Sequence, residues 1–146
     1  MVQNVNPTFV KTPNLGAVSI STGTNQNQFV QVYVGGVNGS KITSLCAAAN
    51  GTSAAFDVHY GVVSGVNAYF LGTGNVPQSA ALVSSVPGVS LMNLTNTPGL
   101  AQDSDGNPYI LLPSTAWYLG CSCGATSSTW TTGATIYLVA TSVGDF

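Results

Sequence analysis

The stretch that decides the fold reads Phe-Asp-Val-His-Tyr-Gly-Val at residues 56–62. Apolar side chains stand at positions 56, 58, 60 and 62, while Asp57 and His59 stand between them. Because successive side chains of a β-strand point to opposite faces of a sheet, the apolar residues share one face and the two polar residues share the other. The stretch therefore predicts a half-buried β-strand.

Strand signals of the same kind continue on both sides of this stretch. Turn signals separate them at roughly 8–12 residue spacing, as expected for an all-β sandwich or barrel, and no segment has a helical period with capping residues. Segments 80–83 and 89–94 are weaker, and the second fits either a strand or a short helix. The other predicted strands cover residues 18–21, 29–34, 42–47, 67–71, 109–112, 116–121 and 134–141. We therefore predict an all-β fold, a single-domain antiparallel β-sandwich of jelly-roll or Greek-key type.

The N-terminal residues do not fit the strand pattern. Pro7 and Pro13 punctuate them, and each disfavours helix at the residue before it. Phe9 and Val10 are apolar but isolated. We predict an extended N-terminal arm over residues 1–14 and a β-sandwich domain over residues 15–146.

Charge is scarce throughout the chain. Charged residues, two lysines and four aspartates, make up 4% of the 146, whereas a soluble domain is typically about a quarter charged. The chain also has one histidine. Hydrophobic residues make up 45%, so the chain is not of the disordered type. A net charge of −2 gives little repulsion between copies. These properties indicate a component of an assembly, whose surface is covered by neighbouring subunits.

The composition also disfavours several classes of function. Two lysines cannot supply the phosphate contacts of a nucleic-acid-binding protein. No apolar run approaches the ~20 residues of a membrane-spanning helix, and residues 1–7 lack the features of a signal peptide. An enzyme is unexpected because so few side chains can carry acid–base chemistry.

Two groups of residues have the types that metals prefer. Asp103 and Asp105 precede Gly106 like the start of a calcium loop, but the bidentate Glu is missing, and an Asp-Gly turn is the simpler interpretation. Three cysteines and a histidine would be enough for zinc if they converged, and free thiols are the alternative. These cysteines are Cys46, Cys121 and Cys123. We predict no metal and no cofactor.

Two further patterns have both a functional and a structural interpretation. Asp57 and His59 share a strand face, which suits either catalysis or a polar pair at a surface, and we favour the pair because no nucleophile elbow is present. Six aromatic residues fit either a sugar site or core and subunit contacts, and we favour the contacts. They are Tyr69, Phe70, Trp117, Tyr118, Trp130 and Tyr137.

Several motifs, taken in order, resemble a set of small virion proteins of tailed bacteriophages. They are Thr-Phe-Val-Lys-Thr-Pro-Asn at 8–14, Val-Ser-Ile-Ser-Thr at 18–22, a glycine turn followed by Asn-Gly-Ser-Lys-Ile at 35–42, Asp-Gly-Asn-Pro-Tyr-Ile-Leu-Leu-Pro at 105–113, and the ending Gly-Asp-Phe. The resemblance implies a β-sandwich, often jelly-roll-like, that assembles on the particle and has no catalytic residues. This chain carries less charge than is common among such proteins.

The resemblance and the composition together give one functional expectation. We expect a non-enzymatic head decoration or cement protein that binds the major capsid protein on the virion surface, is made in the host cytoplasm without a signal peptide, and binds neither nucleic acid nor membrane. Self-association is expected, and a homotrimer would match the three-fold points of an icosahedral shell. Alternatives are a tail or fibre component and a carbohydrate- or receptor-binding module. The predicted partner-binding residues are Phe9, Val10, Lys11, Pro13 and Phe146.

Overall fold

The computed structural model describes residues 13–21, 28–50, 56–123 and 134–145, and within these ranges all regular structure is β-strand. The strands are β1 (Pro13–Ser21), β2 (Val30–Val34), β3 (Ser40–Asn50), β4 (Phe56–Ser64), β5 (Asn67–Val76), β6 (Val89–Ser90), β7 (Ala101–Gln102), β8 (Pro108–Leu112), β9 (Trp117–Cys123) and β10 (Thr135–Asp145). The all-β prediction is confirmed.

The strands form two antiparallel sheets that pack together. Sheet I has the order β1-β10-β3-β8-β7, with β6 also paired to β3, and sheet II has the order β2-β9-β4-β5. Every pairing between these strands is antiparallel. The prediction of an antiparallel β-sandwich is therefore confirmed.

The pairings nest from the ends of the chain towards its middle. β1 pairs with β10, β2 with β9, β3 with β8, and β4 with β5. Along the chain, each pair encloses the next one, as in a long two-stranded ribbon that folds across itself. Successive pairs alternate between the two sheets, so each turn of the ribbon adds to both.

The alternation produces the expected burial from Phe56 to Tyr60, and Val62 is partly buried against the core. Phe56 is buried, Val58 and Tyr60 are inaccessible to solvent, and Asp57 on the opposite face is exposed. Apolar side chains from both sheets form the core between them. Each fully buried aliphatic or Phe side chain contributes about 1.5–3 kcal/mol to the free energy of folding. The largest fully buried side chains are Tyr60, Ile20, Ile42, Leu45, Leu91, Leu112, Leu119, Ile136, Leu138, Val58, Val76 and Cys121.

One buried hydrogen bond joins the two sheets. The Ser142 hydroxyl on β10 donates to the Tyr33 hydroxyl on β2 at 2.7 Å. Close by, a side chain at Gly16 on β1 would overlap the carbonyl oxygen of Val32, so the approach of β1 to β2 requires glycine. Sheet contact at this end of the sandwich therefore depends on a small residue and a satisfied polar pair.

A second buried hydrogen bond fixes the segment between β6 and β7. Tyr60 on β4 is bonded through its hydroxyl to Thr97, and burial raises the pKa of Tyr60. A side chain at Gly72 on β5 would overlap the Thr97 hydroxyl. Because glycine leaves this space open, Thr97 reaches the interior and covers the inner side of β5.

Two sequence-predicted boundaries change in the structure. β1 begins at Pro13, which pairs with Val143, while Asn14 pairs with Ser142, so these two residues belong to sheet I rather than to the arm. Proline is acceptable there because it is the first residue of an edge strand. Residues 1–12 lie outside the described residues. Segment 89–94 is neither a full strand nor a helix, since β6 has only two residues before a turn.

Candidate functional site

The predicted partner-binding residues are only partly described. Phe9, Val10, Lys11 and Phe146 lie outside the described residues. Pro13 is exposed at the start of β1, at the edge of sheet I. A candidate site therefore has to be sought on the two outer faces of the sandwich.

The outer face of sheet I is broad and nearly uncharged. Ile20, Leu138 and Leu45 are fully buried, so alternate residues of β1, β10 and β3 point outward. We call this surface the β1–β10 face. It is formed by Pro13, Leu15, Ala17, Ser19, Tyr137, Val139, Thr141, Val143, Cys46 and Ala48. Leu15 is 66% exposed and Tyr137 41%, which makes apolar contact area available to a partner.

Lys41 is the single charged side chain described on the outward side of these three strands, and it lies at the margin of the face. Its Nζ atom lies 4.6 Å from the centre of the Tyr109 ring and 3.9 Å from Oδ2 of Asp103. A cation over an aromatic ring and beside a carboxylate is locally compensated. The side chains that the structure describes on the β1–β10 face therefore present no uncompensated charge to a partner.

The Asp103 loop is built as a turn. Oδ1 of Asp103 accepts hydrogen bonds from the backbone N–H of Asn107 at 2.9 Å and of Asp105 at 3.0 Å, and Gly106 has a φ of 81°. The Asn107 backbone hydrogen bond is the main cause that lowers the pKa of Asp103. Because N–H groups and the Lys41 ammonium surround this carboxylate, a calcium ion would have to displace them. The arrangement supports the Asp-Gly turn.

The cysteines do not converge. Cys46 is exposed on the outer face of sheet I, whereas Cys121 and Cys123 are buried on the inner face of sheet II. Burial raises the pKa of Cys123 to about 12 and raises that of Cys121 further, so both stay protonated at neutral pH. They act as small apolar core residues. Among the described residues, no three His, Cys, Asp or Glu side chains form a metal-binding group.

Asp57 and His59 pair across to β5 rather than with each other. Asn75 Nδ2 donates to Oδ1 of Asp57 at 3.0 Å, and a hydrogen bond of 2.7 Å joins Nδ1 of His59 to the Thr73 hydroxyl. Each bond joins residues that are directly opposite in the β4–β5 hairpin. The arrangement supports the interpretation of a polar surface pair, because no carboxylate among the described residues orients the imidazole.

The aromatic residues that could have formed one sugar site are divided among several surfaces. Tyr69 stacks on Trp117 at 6.0 Å, on the side of β5 that continues the core. Tyr137 lies on the β1–β10 face, and Trp130 lies outside the described residues. Phe70 projects from the outer face of sheet II. The described aromatic residues therefore do not form one cluster.

Sequence reasoning missed Phe29, the neighbour of Phe70. The two rings meet edge to face with centroids 5.3 Å apart. Phe29 precedes β2 and reaches over β9, where its ring occupies the space that a side chain at Gly120 would need. Gly120 could have indicated this contact, because a glycine at the centre of a strand often marks a close approach by another group.

The comparisons with known proteins add no family to this description. No protein-family model matches the chain, and no curated protein matches it. In the described part of the chain, no helix has the length and apolar character needed to cross a bilayer. The class of the protein is therefore defined by its fold and surfaces, as an antiparallel β-sandwich with one nearly uncharged outer face.

Proposed function

We propose that this chain is a non-enzymatic structural protein of a tailed-bacteriophage virion, a decoration or cement protein that binds the outside of the head. Its partner is the major capsid protein, and it strengthens contacts between capsid subunits. The observation that carries the proposal is the nearly uncharged β1–β10 face, because charged residues are depleted at the centres of protein interfaces.

The size of this face fits one part of such an interface. Strands of nine to eleven residues are about 30 Å long and three adjacent strands span about 15 Å, which gives roughly 450 Å². A standard interface buries about 800 Å² per partner. We propose that the arm, with Phe9, Val10 and Lys11, and the terminal Phe146 supply the remaining contact.

The connectivity is also consistent with the proposal. We propose a jelly roll as the finer description of the sandwich, supported by the nested pairings of β1 with β10, β2 with β9, β3 with β8 and β4 with β5. Double-sheet jelly rolls recur in viral capsid proteins. This likeness is one of architecture, and it supports the proposal without identifying a partner.

The proposal includes a homo-oligomer, with a trimer as the specific hypothesis. A net charge of −2 offers little electrostatic resistance to association. Light scattering of the purified chain should then give three times the 14.8 kDa chain mass. A monomeric mass across micromolar concentrations would remove the trimer from the proposal.

Copy number in purified virions tests the location. Quantitative mass spectrometry should find the chain in a simple ratio to the major capsid protein, at hundreds of copies per particle. A handful of copies would move it to the tail or a vertex. Its absence from virions would refute the virion proposal.

Binding to purified heads that lack the chain tests the face itself. Leu15→Asp replaces a 66% exposed apolar side chain of the β1–β10 face with a charge and should weaken co-sedimentation with heads at least about tenfold, since charge is disfavoured in interfaces. Val66→Asp is a matched control, because Val66 is 98% exposed in the β4–β5 turn and lies off this face. Equal binding by both variants would refute the assignment of the face.

A further inference from the structure

The outer face of sheet II differs in chemistry from the β1–β10 face. Phe70 is 63% exposed, yet two neighbours restrict its ring. The Phe29 ring contacts it edge to face at 5.3 Å, and the His59 ring lies 6.1 Å away in the same type of contact. An exposed aromatic ring that is held by neighbours can stack on a ligand with little loss of side-chain entropy.

Two polar pairs lie beside this ring on the same face. Thr73 is bonded to His59, and Asn75 is bonded to Asp57, so all four side chains have fixed positions. These bonds involve only one polar atom each of His59, Asp57 and Asn75. Within the described residues, Nε2 of His59, Oδ2 of Asp57 and Oδ1 of Asn75 have no hydrogen-bond partner.

The bulge in β5 brings these groups together. At the hairpin end, Gly61 faces Phe70, but an extra residue at Leu71 shifts the register, so that His59 faces Thr73 and Asp57 faces Asn75. The Phe70 ring, the His59–Thr73 pair and the Asp57–Asn75 pair therefore follow one another along the outer face of sheet II. From position 61 to position 57 the strand runs about 13 Å.

We propose that this strip, formed by Phe70, His59, Thr73, Asp57 and Asn75, binds a short neutral oligosaccharide. The C–H face of one sugar unit stacks on Phe70, and hydroxyl groups of the following units bond to the free polar atoms of the two pairs. The strip offers both donors and acceptors, which matches the hydroxyl groups of a sugar.

Charge and shape select this ligand class. Asp57 is the single acidic residue of the strip, and no lysine or arginine is present in it, so an anionic ligand would be repelled. A lipid surface would leave the two polar pairs buried without water, which is costly. The face is open, so binding is expected to be weak, with Kd of about 1 mM or a little tighter.

This inference does not depend on the proposed capsid role. It concerns the opposite outer face of the sandwich, so each proposal can fail without the other. The test is a titration of the ¹⁵N-labelled chain with maltotriose, cellotriose, chitotriose and mannotriose, each up to about 10 mM, followed by amide chemical shifts. At least one trisaccharide should give saturable shifts confined to residues 57–63 and 68–75.

Two neighbouring aromatic residues provide a matched pair of variants. Phe70→Ala should weaken binding about tenfold or more, whereas Tyr69→Ala should leave it unchanged, since Tyr69 points to the other side of β5. Asn75→Ala should weaken binding about threefold or more through its lost acceptor. Spectra of each free variant show whether the fold is retained.

Three outcomes overturn the inference. The first is the absence of saturable shifts with every trisaccharide. The second is binding that Phe70→Ala and Asn75→Ala both leave intact. The third is concentration-dependent shifts of the same residues without sugar, which would make this face a contact between copies of the chain.

Discussion

The buried hydrogen bond between Ser142 and Tyr33 offers a direct test of how the two sheets are held together. Ser142 is 1% exposed and Tyr33 is 8% exposed, and their hydroxyl groups are 2.7 Å apart. Ser142→Ala removes the donor with almost no change in volume. The variant therefore isolates the hydrogen bond from packing.

The expected cost follows from what the substitution leaves behind. A buried neutral hydrogen bond contributes about 0.5–1.5 kcal/mol net, and a buried polar atom left without its partner costs about 1–3 kcal/mol. We expect Ser142→Ala to lower the free energy of unfolding by about 1.5–2 kcal/mol. For a chain of this length, that corresponds to a Tm decrease of about 3–8 °C.

Urea denaturation followed by tryptophan fluorescence measures this change, since the chain contains two tryptophans. Tyr33→Phe should cost a similar amount for the same reason. The double variant removes both partners, so its cost should fall short of the sum of the single costs by about 1 kcal/mol. Costs below about 0.5 kcal/mol, or strictly additive costs, would refute the bond as a link between the sheets.

Three further predictions concern thiols, packing and titration. Cys46 alone should react with a thiol reagent in the folded chain, with the two buried cysteines reacting only after unfolding; fast reaction of a second thiol would contradict this. Gly72→Ala should destabilise by about 1–3 kcal/mol through overlap with Thr97, whereas Gly99→Ala, with open space around it, should stay within about 0.5 kcal/mol by urea denaturation. The pKa of Asp103 is lowered from its ordinary value of 3.8, so its carboxylate keeps its turn hydrogen bonds at pH 3.8 and above and loses them as the pH falls through the lowered pKa. The NMR amide shifts of the loop should therefore titrate with a midpoint below pH 3.8.

The strands could be predicted from the sequence because their signal is local. The alternation of apolar and polar residues at 56–62 predicts β4, and the turn signals on either side predict the strands before and after it. The exceptions arise where register changes. In β2 the pairing shifts between Gln31 and Tyr33, so that Val32 and Tyr33 are both buried although they are adjacent. A strict alternation cannot anticipate such a bulge, because it depends on the partner strand.

The strip on sheet II was predictable only in its separate parts. A regular hairpin closed by the turn after Ser64 would place His59 opposite Gly72. Because of the bulge at Leu71, His59 lies opposite Thr73 instead, and no local sequence pattern predicts this shift in register. Phe29 joins Phe70 only through the order β2-β9-β4-β5, which depends on long-range packing rather than on neighbouring residues.

The position of β10 has a consequence for how the chain acquires its fold. β10 lies between β1 and β3, and it pairs Pro13 with Val143 across nearly the whole described chain. Contacts of such long sequence separation slow folding, because a large loop must close before they form. During synthesis, β1 and β3 have to wait for residues made more than eighty positions after β3, since β10 begins at Thr135. Until then the edges of β1 and β3 that pair with β10 lack that partner, so the nascent chain is most vulnerable to aggregation just before β10 emerges from the ribosome.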